Sequence, residues 1–357
     1  MQVTYTGKLI VGGSGIGTTA WHQVKPLFEN IYLEKVYCEG YKCDVPEKFF
    51  ETIPLPTLNS DFYTLDLIFD SLVSLNIEKS PEIIQTWGSH CLHTLREFPE
   101  AISIVNLYSA HPLEQSLLLR QEYATFNVEY TNPLLKKFTK ELEMCDYIFI
   151  PSEFILNSLR KHGLEHKAKL VPFGVDLEKF KPAPKTNEKY KVIFVGGNWL
   201  RKGLVYLLSA WKLFMSSHKD AINDAELIVA GCDVSFKDLP LNVKVGWVDD
   251  LVKEYQNSDI FCLPAIEDGC PLATYEAMAC GLPVIITNTT GTYQHVFSGT
   301  NGFVIQPKSI KEIYDKIVYF YENRSEIKRM GQNSRKMVEA FPWERHEKEY
   351  LKFIEGL

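Results

Sequence analysis

One stretch of 29 residues, LPAIEDGCPLATYEAMACGLPVIITNTTG from Leu263 to Gly291, constrains the fold more than any other part of the chain. An apolar run over Asp259–Pro264 predicts a short buried strand. Helix formers over Leu272–Cys280, followed by Gly281, predict a helix with a glycine at its C-terminal end. The apolar residues that come next predict a second strand. A strand, a helix and another strand in this order form a βαβ unit, which indicates an α/β fold with a parallel sheet.

The loop between the first strand and the helix, Glu267–Pro271, carries two adjacent carboxylates, a glycine and a proline. It precedes the first amides of the helix, which are unpaired and attract anions and polar ligands. Glu276 lies about one turn into the helix, so we expect its side chain near the same crevice. Ligands bind open parallel sheets at the carboxyl ends of the strands. The sequence therefore predicts a ligand site at this loop.

This segment resembles the donor-binding signature of retaining, nucleotide-sugar-dependent glycosyltransferases of the two-domain GT-B type, in particular family 4. That signature has an acid, seven further residues and a second acid followed by Ala-Met-Ala-x-Gly-x-Pro-Val. Glu276 matches the second acid. The first acid falls at Asp268, where the family has Glu, and Glu267 precedes it, so either carboxylate is a candidate for contact with the donor sugar. The alternative is an ordinary βαβ unit with a solvated acidic loop.

The resemblance implies two Rossmann-like domains that face each other across a cleft. We expect residues 1–182 to form the N-terminal, acceptor-side domain and residues 183–340 the C-terminal, donor-side domain. Residues 341–357 are expected to form a helix that crosses back to the first domain. A chain of 357 residues suits two domains of ordinary size. The linker KPAPKTNEK, rich in proline and polar residues, marks the boundary between them.

A glycine-rich loop, GGSGIG, follows the first predicted strand. Gly13, Gly15 and Gly17 allow the backbone to approach a ligand closely. The loop lacks the third glycine of a dinucleotide fingerprint, because position 18 is Thr18, and it lacks the Lys-Ser/Thr of a P-loop. A tight turn without a ligand is the alternative. The resemblance implies that this loop faces the donor diphosphate.

His111 lies just beyond a predicted strand at Ile102–Leu107 and before a helical pattern near Leu113–Ala124. A single histidine is more often structural or exposed than functional. The resemblance implies a different role, because the family has a histidine or polar residue at the corresponding strand end, in contact with the donor sugar. His111 is therefore a candidate residue near the reacting centre.

The second predicted domain opens with the strand Tyr190–Val195 and a loop that contains Arg201 and Lys202. Two cations at a turn between a strand and a helix suit a pyrophosphate, because a guanidinium donates bidentate hydrogen bonds and an ammonium supplies a point charge. Exposed cations in a surface loop are the alternative. The resemblance supports Lys202, and it makes Arg201 the candidate for a charge that the family usually places where this chain has Gly197.

The resemblance also implies contacts for the rest of the donor. The backbone around Val248 would meet the nucleobase with Leu251 nearby, although both residues also suit core or capping roles, and Glu276 would accept hydrogen bonds from the ribose. The expected catalytic residues are His111, Lys202, Arg201, Asp268 and Glu267. The expected donor-binding residues are Gly13, Gly15, Gly17, Asn198, Arg201, Lys202, Val248, Leu251, Asp268, Gly269, Cys270, Leu272 and Glu276.

The reaction implied is transfer of a sugar from a nucleoside diphosphate to a hydroxyl acceptor with retention at the anomeric carbon. The acceptor would be a glycan, a lipid-linked molecule or a small molecule. No metal and no cofactor are expected, because Asp-x-Asp occurs nowhere in the chain. A sugar-nucleotide epimerase, a phosphorylase and a non-catalytic partner of an active transferase remain alternatives, and a Rossmann oxidoreductase fits the glycine-rich loop least well.

Composition limits the partners and the compartment. The formal net charge is −7, and the excess acid lies in residues 1–180, so a stripe that binds nucleic acid is not expected. Eight scattered cysteines without a CxxC pair indicate reduced thiols. No apolar run suggests a transmembrane segment, and the start lacks the pattern of a secretory signal. We expect a cytoplasmic protein, with peripheral association at the inner membrane face left open.

Overall fold

The structure is a computed structural model that describes residues 2–11, 16–53, 55, 62–186, 188–232 and 239–357. The chain divides into two units. The first unit comprises Met1–Leu117, Thr131–Phe173 and Trp343–Leu357. The second comprises Leu118–Tyr130 and Gly174–Pro342. The chain therefore passes between the units near residue 174, whereas the sequence analysis expected a boundary at 182/183.

The N-terminal half alternates strands and helices. Its strands are β1 Val3–Val11, β2 Leu33–Tyr41, β3 Phe50–Thr52, β4 Ile83–Trp87, β5 Ile102–Asn106, β6 Tyr147–Ile150 and β7 Ala168–Leu170. Its helices are α1 Ile16–Glu29, α2 Phe62–Asn76, α3 Leu92–Glu97, α4 Pro112–Thr125, α5 Leu135–Met144 and α6 Glu153–Arg160. The strands pair in parallel in the order β3-β2-β1-β4-β5-β6-β7. The order reverses between β1 and β4, so the loops after these strands flank the crevice of this sheet.

The turn after β4 is held by buried charged side chains. Ser89 has φ +79°, a left-handed conformation that is uncommon for a residue with a side chain. The Glu141 carboxylate, fully buried on α5, accepts hydrogen bonds from the amides of Ser89, Cys91 and Leu92 at 2.6, 3.0 and 3.1 Å. The Lys137 ammonium lies 3.4 Å from the same carboxylate. The conformation of this turn therefore depends on side chains from another element.

The second half of the chain also alternates strands and helices. Its strands are β8 Tyr190–Val195, β9 Ala225–Ala230, β10 Val243–Gly246, β11 Ile260–Leu263, β12 Val284–Thr287 and β13 Gly302–Ile305. Its helices are α7 Leu204–Ser217, α8 Ala221–Asp224, α9 Leu251–Gln256, α10 Leu272–Ala279, α11 Ile310–Glu322 and α12 Arg324–Val338. The strands again pair in parallel, in the order β10-β9-β8-β11-β12-β13. Here the order reverses between β8 and β11, which places the loops after these two strands side by side.

The central stretch has the predicted structure. The buried strand β11 leads through a loop into α10, and the buried strand β12 follows. Gly281 ends the helix with φ +83°, and the amide of Leu282 reaches back to the carbonyl of Ala277 at 3.0 Å. A residue in the left-handed conformation closes helices in this way, and glycine adopts it without steric cost. The predicted βαβ unit is confirmed.

The last helix, α13 (Trp343–Glu355), belongs to the first unit. Trp343 stacks on the ring of His22 at a centroid distance of 4.1 Å. The Glu347 carboxylate lies 2.6 Å from His22 Nδ1 and 3.1 Å from the Lys25 ammonium. Tyr350 is fully buried. The expected return of the chain to its N-terminal half is confirmed.

Within the described ranges, no helix combines the length and the apolar character needed to span a bilayer.

Candidate functional site

Two loops at the carboxyl ends of β8 and β11 pack against each other through their backbones. The amide of Ile266 donates to the carbonyl of Arg201 at 2.8 Å. Gly203, which precedes α7, has φ +69°, and a Cβ atom at this position would lie 2.0 Å from the carbonyl oxygen of Pro264. Only glycine meets both requirements. The sequence Arg-Lys-Gly therefore brings two cations onto the loop that follows β11.

Each of the two predicted cations pairs with one of the two predicted carboxylates. Arg201 Nη1 lies 3.4 Å from Glu267 Oε2 and donates to the carbonyl of the same residue at 3.4 Å. Lys202 Nζ forms an ion pair with Asp268 Oδ2. The carboxylates are buried, whereas a quarter of the Arg201 side chain remains accessible. The structure thus brings together four of the five residues that the sequence analysis considered catalytic.

The charges in this cluster stabilise one another. Burial opposes ionisation of Asp268, but Lys202 and Arg201 together outweigh that effect, so the pKa of Asp268 lies below its ordinary value. Burial also disfavours the Arg201 cation, yet Asp268 and Glu267 raise the pKa of Arg201 above its ordinary value. All of these shifts favour the charged forms. The site therefore contains paired, ionised groups at neutral pH.

Threonines at the end of β12 and just beyond it anchor the acidic loop. The hydroxyls of Thr287 and Thr289 donate to the carbonyl of Ala265 at 2.6 and 2.9 Å. The amide of Asp268 donates to the carbonyl of Thr289 at 3.1 Å, and that of Gly291 donates to the carbonyl of Asp268 at 2.8 Å. The sequence analysis did not identify these threonines. Their clustering just beyond a strand adjacent to β11 is the signal that could have identified them.

Glu276 lies on α10 and is half-buried. The buried hydroxyl of Tyr255 donates to Glu276 Oε2 at 3.1 Å. Burial raises the pKa of Glu276 above its ordinary value, while the hydrogen bond from Tyr255 and the charge of Lys179 act in the opposite direction. Tyr255 was not predicted, because nothing in the sequence connects two residues that are 21 positions apart on different helices. It fixes the orientation of the carboxylate.

Asn198 is exposed and shapes the loop that carries the cations. Its side-chain oxygen accepts a hydrogen bond from the amide of Arg201 at 3.0 Å, and its carbonyl accepts one from the amide of Lys202 at 2.9 Å. The amide nitrogen of its side chain donates to the hydroxyl of Tyr123 at 3.3 Å. Asn198 therefore contributes to the loop conformation.

The remaining predicted donor residues of the second unit lie around the same edge of its sheet. Val248 is half-buried beyond β10, and Leu251 is the first residue of α9. Gly269 and Cys270 are buried in the acidic loop, and Leu272 is the first residue of α10. All five positions therefore follow the carboxyl ends of strands, where a ligand of this unit is expected.

His111 belongs to the first unit, immediately before α4. Its ring is 1% exposed, and Nδ1 accepts a hydrogen bond from the amide of Leu113 at 3.3 Å. Burial, followed by the neighbouring His162, lowers the pKa of His111 to about 4. Gly17 is buried within α1. Gly13 and Gly15 lie outside the described residues.

The sequence of the second unit matches a known family. Residues 176–337 fit the family described as glycosyl transferases group 1. This part of the chain is similar to a group 1 glycosyltransferase domain. An Escherichia coli protein, UDP-Gal:alpha-D-GlcNAc-diphosphoundecaprenol alpha-1,3-galactosyltransferase, is 30% identical over 198 residues, which cover 49% of this chain and 50% of that protein. The chain thus matches about half the length of this curated relative.

Solved structures extend the likeness to the fold of the whole chain. Sucrose-phosphate synthase from Thermosynechococcus elongatus superimposes with a TM-score of 0.76 at 18% identity, covering 100% of this chain and 99% of that one. WaaG, a glycosyltransferase involved in lipopolysaccharide biosynthesis, gives a TM-score of 0.75 at 14% identity and covers 98% of each chain. The predicted two-domain α/β fold of GT-B type is confirmed. The ion-pair cluster lies within residues 176–337, which match the group 1 family.

Proposed function

We propose that the protein transfers a sugar from a nucleoside diphosphate donor to a hydroxyl acceptor, with retention at the anomeric carbon and without a bound metal ion. The observation that carries the proposal is the cluster of Arg201 and Lys202 with Glu267 and Asp268 at the carboxyl ends of β8 and β11. Cations bind a diphosphate and carboxylates accept hydrogen bonds from sugar hydroxyls, so a cluster of both suits a ligand that contains both groups. The membership of residues 176–337 in the group 1 family supports the same chemistry.

The cations stabilise the leaving group. As the bond between the anomeric carbon and the phosphate oxygen breaks, negative charge grows on the diphosphate and positive charge grows on the sugar ring. Lys202 exchanges Asp268 for a phosphate oxygen, and Arg201 donates to the same group. The amides at the start of α10 point toward the same charge. No metal ion is needed for this step, because these groups provide the required positive charge.

The carboxylates orient the sugar. Once Lys202 turns to the diphosphate, Asp268 accepts hydrogen bonds from sugar hydroxyls, with Glu267 beside it. Glu276, oriented by Tyr255, accepts hydrogen bonds from the ribose. The acceptor hydroxyl attacks the anomeric carbon from the side of the leaving group, and its proton passes to a phosphate oxygen. The new glycosidic bond therefore keeps the configuration of the broken one.

Two relatives suggest which substrates to test first. The Escherichia coli relative is named for UDP-Gal and a diphosphoundecaprenol-linked acceptor. A Campylobacter jejuni relative, 25% identical over 193 residues, is named N,N'-diacetylbacillosaminyl-diphospho-undecaprenol alpha-1,3-N-acetylgalactosaminyltransferase. We propose a uridine diphosphate sugar as the donor class and a lipid-linked saccharide as the first acceptor class to test.

The direct test measures UDP release by the purified protein from a panel of UDP-sugars, each with an undecaprenyl-diphosphate-linked saccharide as acceptor. Lys202→Ala should reduce turnover about 100-fold or more, because it removes a charge that stabilises the leaving group. Lys212→Ala, an exposed lysine on α7, is the matched control and should retain full activity. Full activity of the Lys202→Ala variant would contradict the proposed site.

Product analysis separates the proposed reaction from its alternatives. A transferase forms a glycoside whose yield depends on the acceptor, and the anomeric configuration of that glycoside tests retention. An epimerase converts the nucleotide sugar without an acceptor, and a phosphorylase requires inorganic phosphate. A protein that binds UDP-sugars but converts none under any of these conditions would support the non-catalytic alternative.

A further inference from the structure

Two histidine rings stack face to face in the first unit. His111 and His162 are 51 positions apart, yet their ring centroids lie 3.8 Å apart with an interplanar angle of 16°. The His111 ring is buried, whereas the side chain of His162 is 24% exposed. His162 therefore covers one face of a residue that the sequence analysis expects in contact with the donor sugar.

The hydrogen bonds of His111 determine where its proton lies. Its Nδ1 accepts a hydrogen bond from the amide of Leu113, and an amide can only donate. The single proton of the neutral ring is therefore on Nε2. Nε2 is buried and has no hydrogen-bond partner among the described residues. A buried donor without a partner is destabilising, and a bound molecule that accepts a hydrogen bond from Nε2 would remove this penalty.

His162 is held in place by its own partner. Its Nε2 lies 3.2 Å from Glu114 Oε1, and the Lys161 ammonium lies 2.6 Å from Glu114 Oε2. The hydrogen bond from Lys161 contributes most to a pKa of Glu114 below its ordinary value, so this carboxylate is ionised at neutral pH. The stacked ring is thus fixed at its edge by an ionised side chain from the first turn of α4.

Four charged or titratable side chains of the described residues act on His111: those of His162, Glu114, Glu143 and, through Glu114, Lys161. Burial is the largest effect and His162 the next, and both disfavour a positive charge on His111, whereas the two carboxylates favour it. The balance keeps the imidazole neutral at pH 7. Removal of the His162 ring would weaken both disfavouring effects, because it would also open one face of His111 to water.

We propose that His162 is a positioning residue for sugar transfer, which holds the His111 imidazole neutral and oriented so that its Nε2–H donates to the donor sugar. This inference rests on the proposed function. The physical reason is the positive charge that develops on the sugar ring as the diphosphate leaves. A neutral donor orients the sugar without opposing that charge, whereas an imidazolium at the same place would raise the barrier.

Nitrogen-15 NMR of histidine-labelled protein tests the inference without any turnover. In the wild type, the His111 signal should show the neutral Nε2–H form from pH 5 to pH 8. In His162→Ala, the same signal should titrate within that range or show both neutral tautomers. In His162→Phe, which restores a ring over His111 but not the contact with Glu114, His111 should remain neutral.

Steady-state kinetics give the second readout. His162→Ala should lower kcat about tenfold at pH 8, with a larger loss at pH 6 and little change in the KM of the donor, because the residue acts through orientation and charge. The loss in His162→Phe should be smaller. His166→Ala is the matched control. It alters an exposed histidine four residues after His162 and should follow the wild-type pH profile.

The outcomes distinguish the two proposals. Wild-type kcat, pH profile and His111 signal in the His162→Ala variant would overturn the role of His162, even if His111→Ala is inactive. Full activity of His111→Ala would also overturn the role of His162, whereas the proposed function itself is tested by Lys202→Ala. Should His162→Ala fail to fold, as shown by its melting curve, the His111 signal in the His162→Phe variant decides: a neutral Nε2–H form supports the inference, and a titrating ring overturns it.

Discussion

The turn after β4 in the first unit and the loop after β11 in the second are both built around buried carboxylates next to a lysine. In the first unit, Glu141 accepts three backbone amides and lies 3.4 Å from Lys137. In the second unit, Asp268 pairs with Lys202, whose side chain is 14% exposed, and a backbone hydrogen bond from Cys270 also stabilises its ionised form.

The difference lies in what each carboxylate would lose if its cation moved away. Glu141 would still fix the left-handed backbone at Ser89 through its amide contacts. Asp268 would lose the main charge that keeps it ionised, unless a ligand supplied donors in return. A carboxylate that accepts hydrogen bonds from several backbone amides stabilises the fold. A carboxylate paired with the ammonium of a lysine can exchange that cation for a ligand. The same residue types thus have a structural role in one unit and a proposed binding role in the other.

The largest effect is expected in the first unit, for Glu141→Ala. This change leaves three amides without their buried acceptor and removes one of the two buried carboxylates beside Lys137, which keeps its ion pair with Asp70 at 3.2 Å. The free energy of unfolding should therefore fall by about 3–5 kcal/mol. Urea denaturation followed by circular dichroism measures the loss. Glu143→Ala, two residues away with half of its side chain exposed, should cost less than about 1 kcal/mol. Equal losses of stability in the two variants would show that the buried Glu141 carboxylate has no special structural role.

A matched pair of glycines gives the next largest effect. Gly163 and Gly203 both have φ +69°, but a Cβ atom would meet nothing within 4 Å at Gly163 and would clash with Pro264 at Gly203. Gly163→Ala should therefore cost only about 1 kcal/mol, from backbone strain alone, and should leave activity unchanged. Gly203→Ala should cost about 3 kcal/mol and should also reduce donor turnover, because Arg201 and Lys202 must move.

These two variants are compared by thermal denaturation and by turnover of the best donor. Similar losses in both would mean that the two loops after β8 and β11 do not depend on close backbone contact. A loss of stability in Gly203→Ala with full activity would mean that the cations do not need this loop conformation.

Asp268→Asn tests the exchange of partners directly. The side chain keeps its shape but no longer holds Lys202, so UDP alone should bind at least as tightly as to the wild type. Turnover should nevertheless fall about 100-fold, because the sugar loses a charged acceptor of its hydrogen bonds. Calorimetry with UDP and steady-state kinetics provide the two measurements. Weaker UDP binding together with normal turnover would contradict partner exchange.

The smallest predicted effect is a difference in pH dependence. Burial raises the pKa of Glu141 above its ordinary value despite the opposing effects of Lys137 and the amides, so its folded state holds a proton more tightly than the unfolded chain. Its contribution to stability should therefore grow as the pH falls from the folded pKa toward about 4.5. Asp268 has a lowered pKa, and its contribution, present above about pH 3.8, should be lost as the pH falls through the folded value.

Denaturation of the wild type, Glu141→Gln and Asp268→Asn between pH 3 and pH 7 measures these opposite trends. Compared with the wild type, Asp268→Asn should lose less stability as the pH falls, and Glu141→Gln should lose more. Parallel pH profiles for all three proteins would show that the two carboxylates do not differ in this respect.

The sequence predicted most of the fold because the strands are short apolar runs that alternate with longer helical patterns. The strand β8 has the predicted bounds, and β5, predicted over Ile102–Leu107, ends one residue earlier. The assignment of Leu118–Tyr130 to the second unit could not be predicted, because the helical pattern of α4 continues through residue 118 without any break. Compact units depend on which side chains pack together, and periodicity does not carry that information.

Local motifs identified the cations and carboxylates of the candidate site, but their pairing had to come from the structure. Two loops from neighbouring strands bring Lys202 to Asp268, and the sequence alone left Glu267 as an equal alternative. For the same reason, the sequence could not predict side-chain contacts between separate elements. Examples are the hydrogen bond from Tyr255 to Glu276 and the stacking of His162 on His111. Distances between side chains arise from the packing of whole elements.

The mutual pairing of Arg201 with Glu267 and Lys202 with Asp268 has a consequence for selectivity in the proposed reaction. Between them, these four groups carry no net charge before a substrate arrives. A simple phosphate that binds Lys202 must separate its ammonium from the Asp268 carboxylate, and it offers that carboxylate no new partner. A nucleotide sugar replaces both partners at once, since its phosphates take the cations and its hydroxyls take the acids. We therefore expect the cluster to bind a diphosphate that carries its sugar more tightly than a phosphate alone.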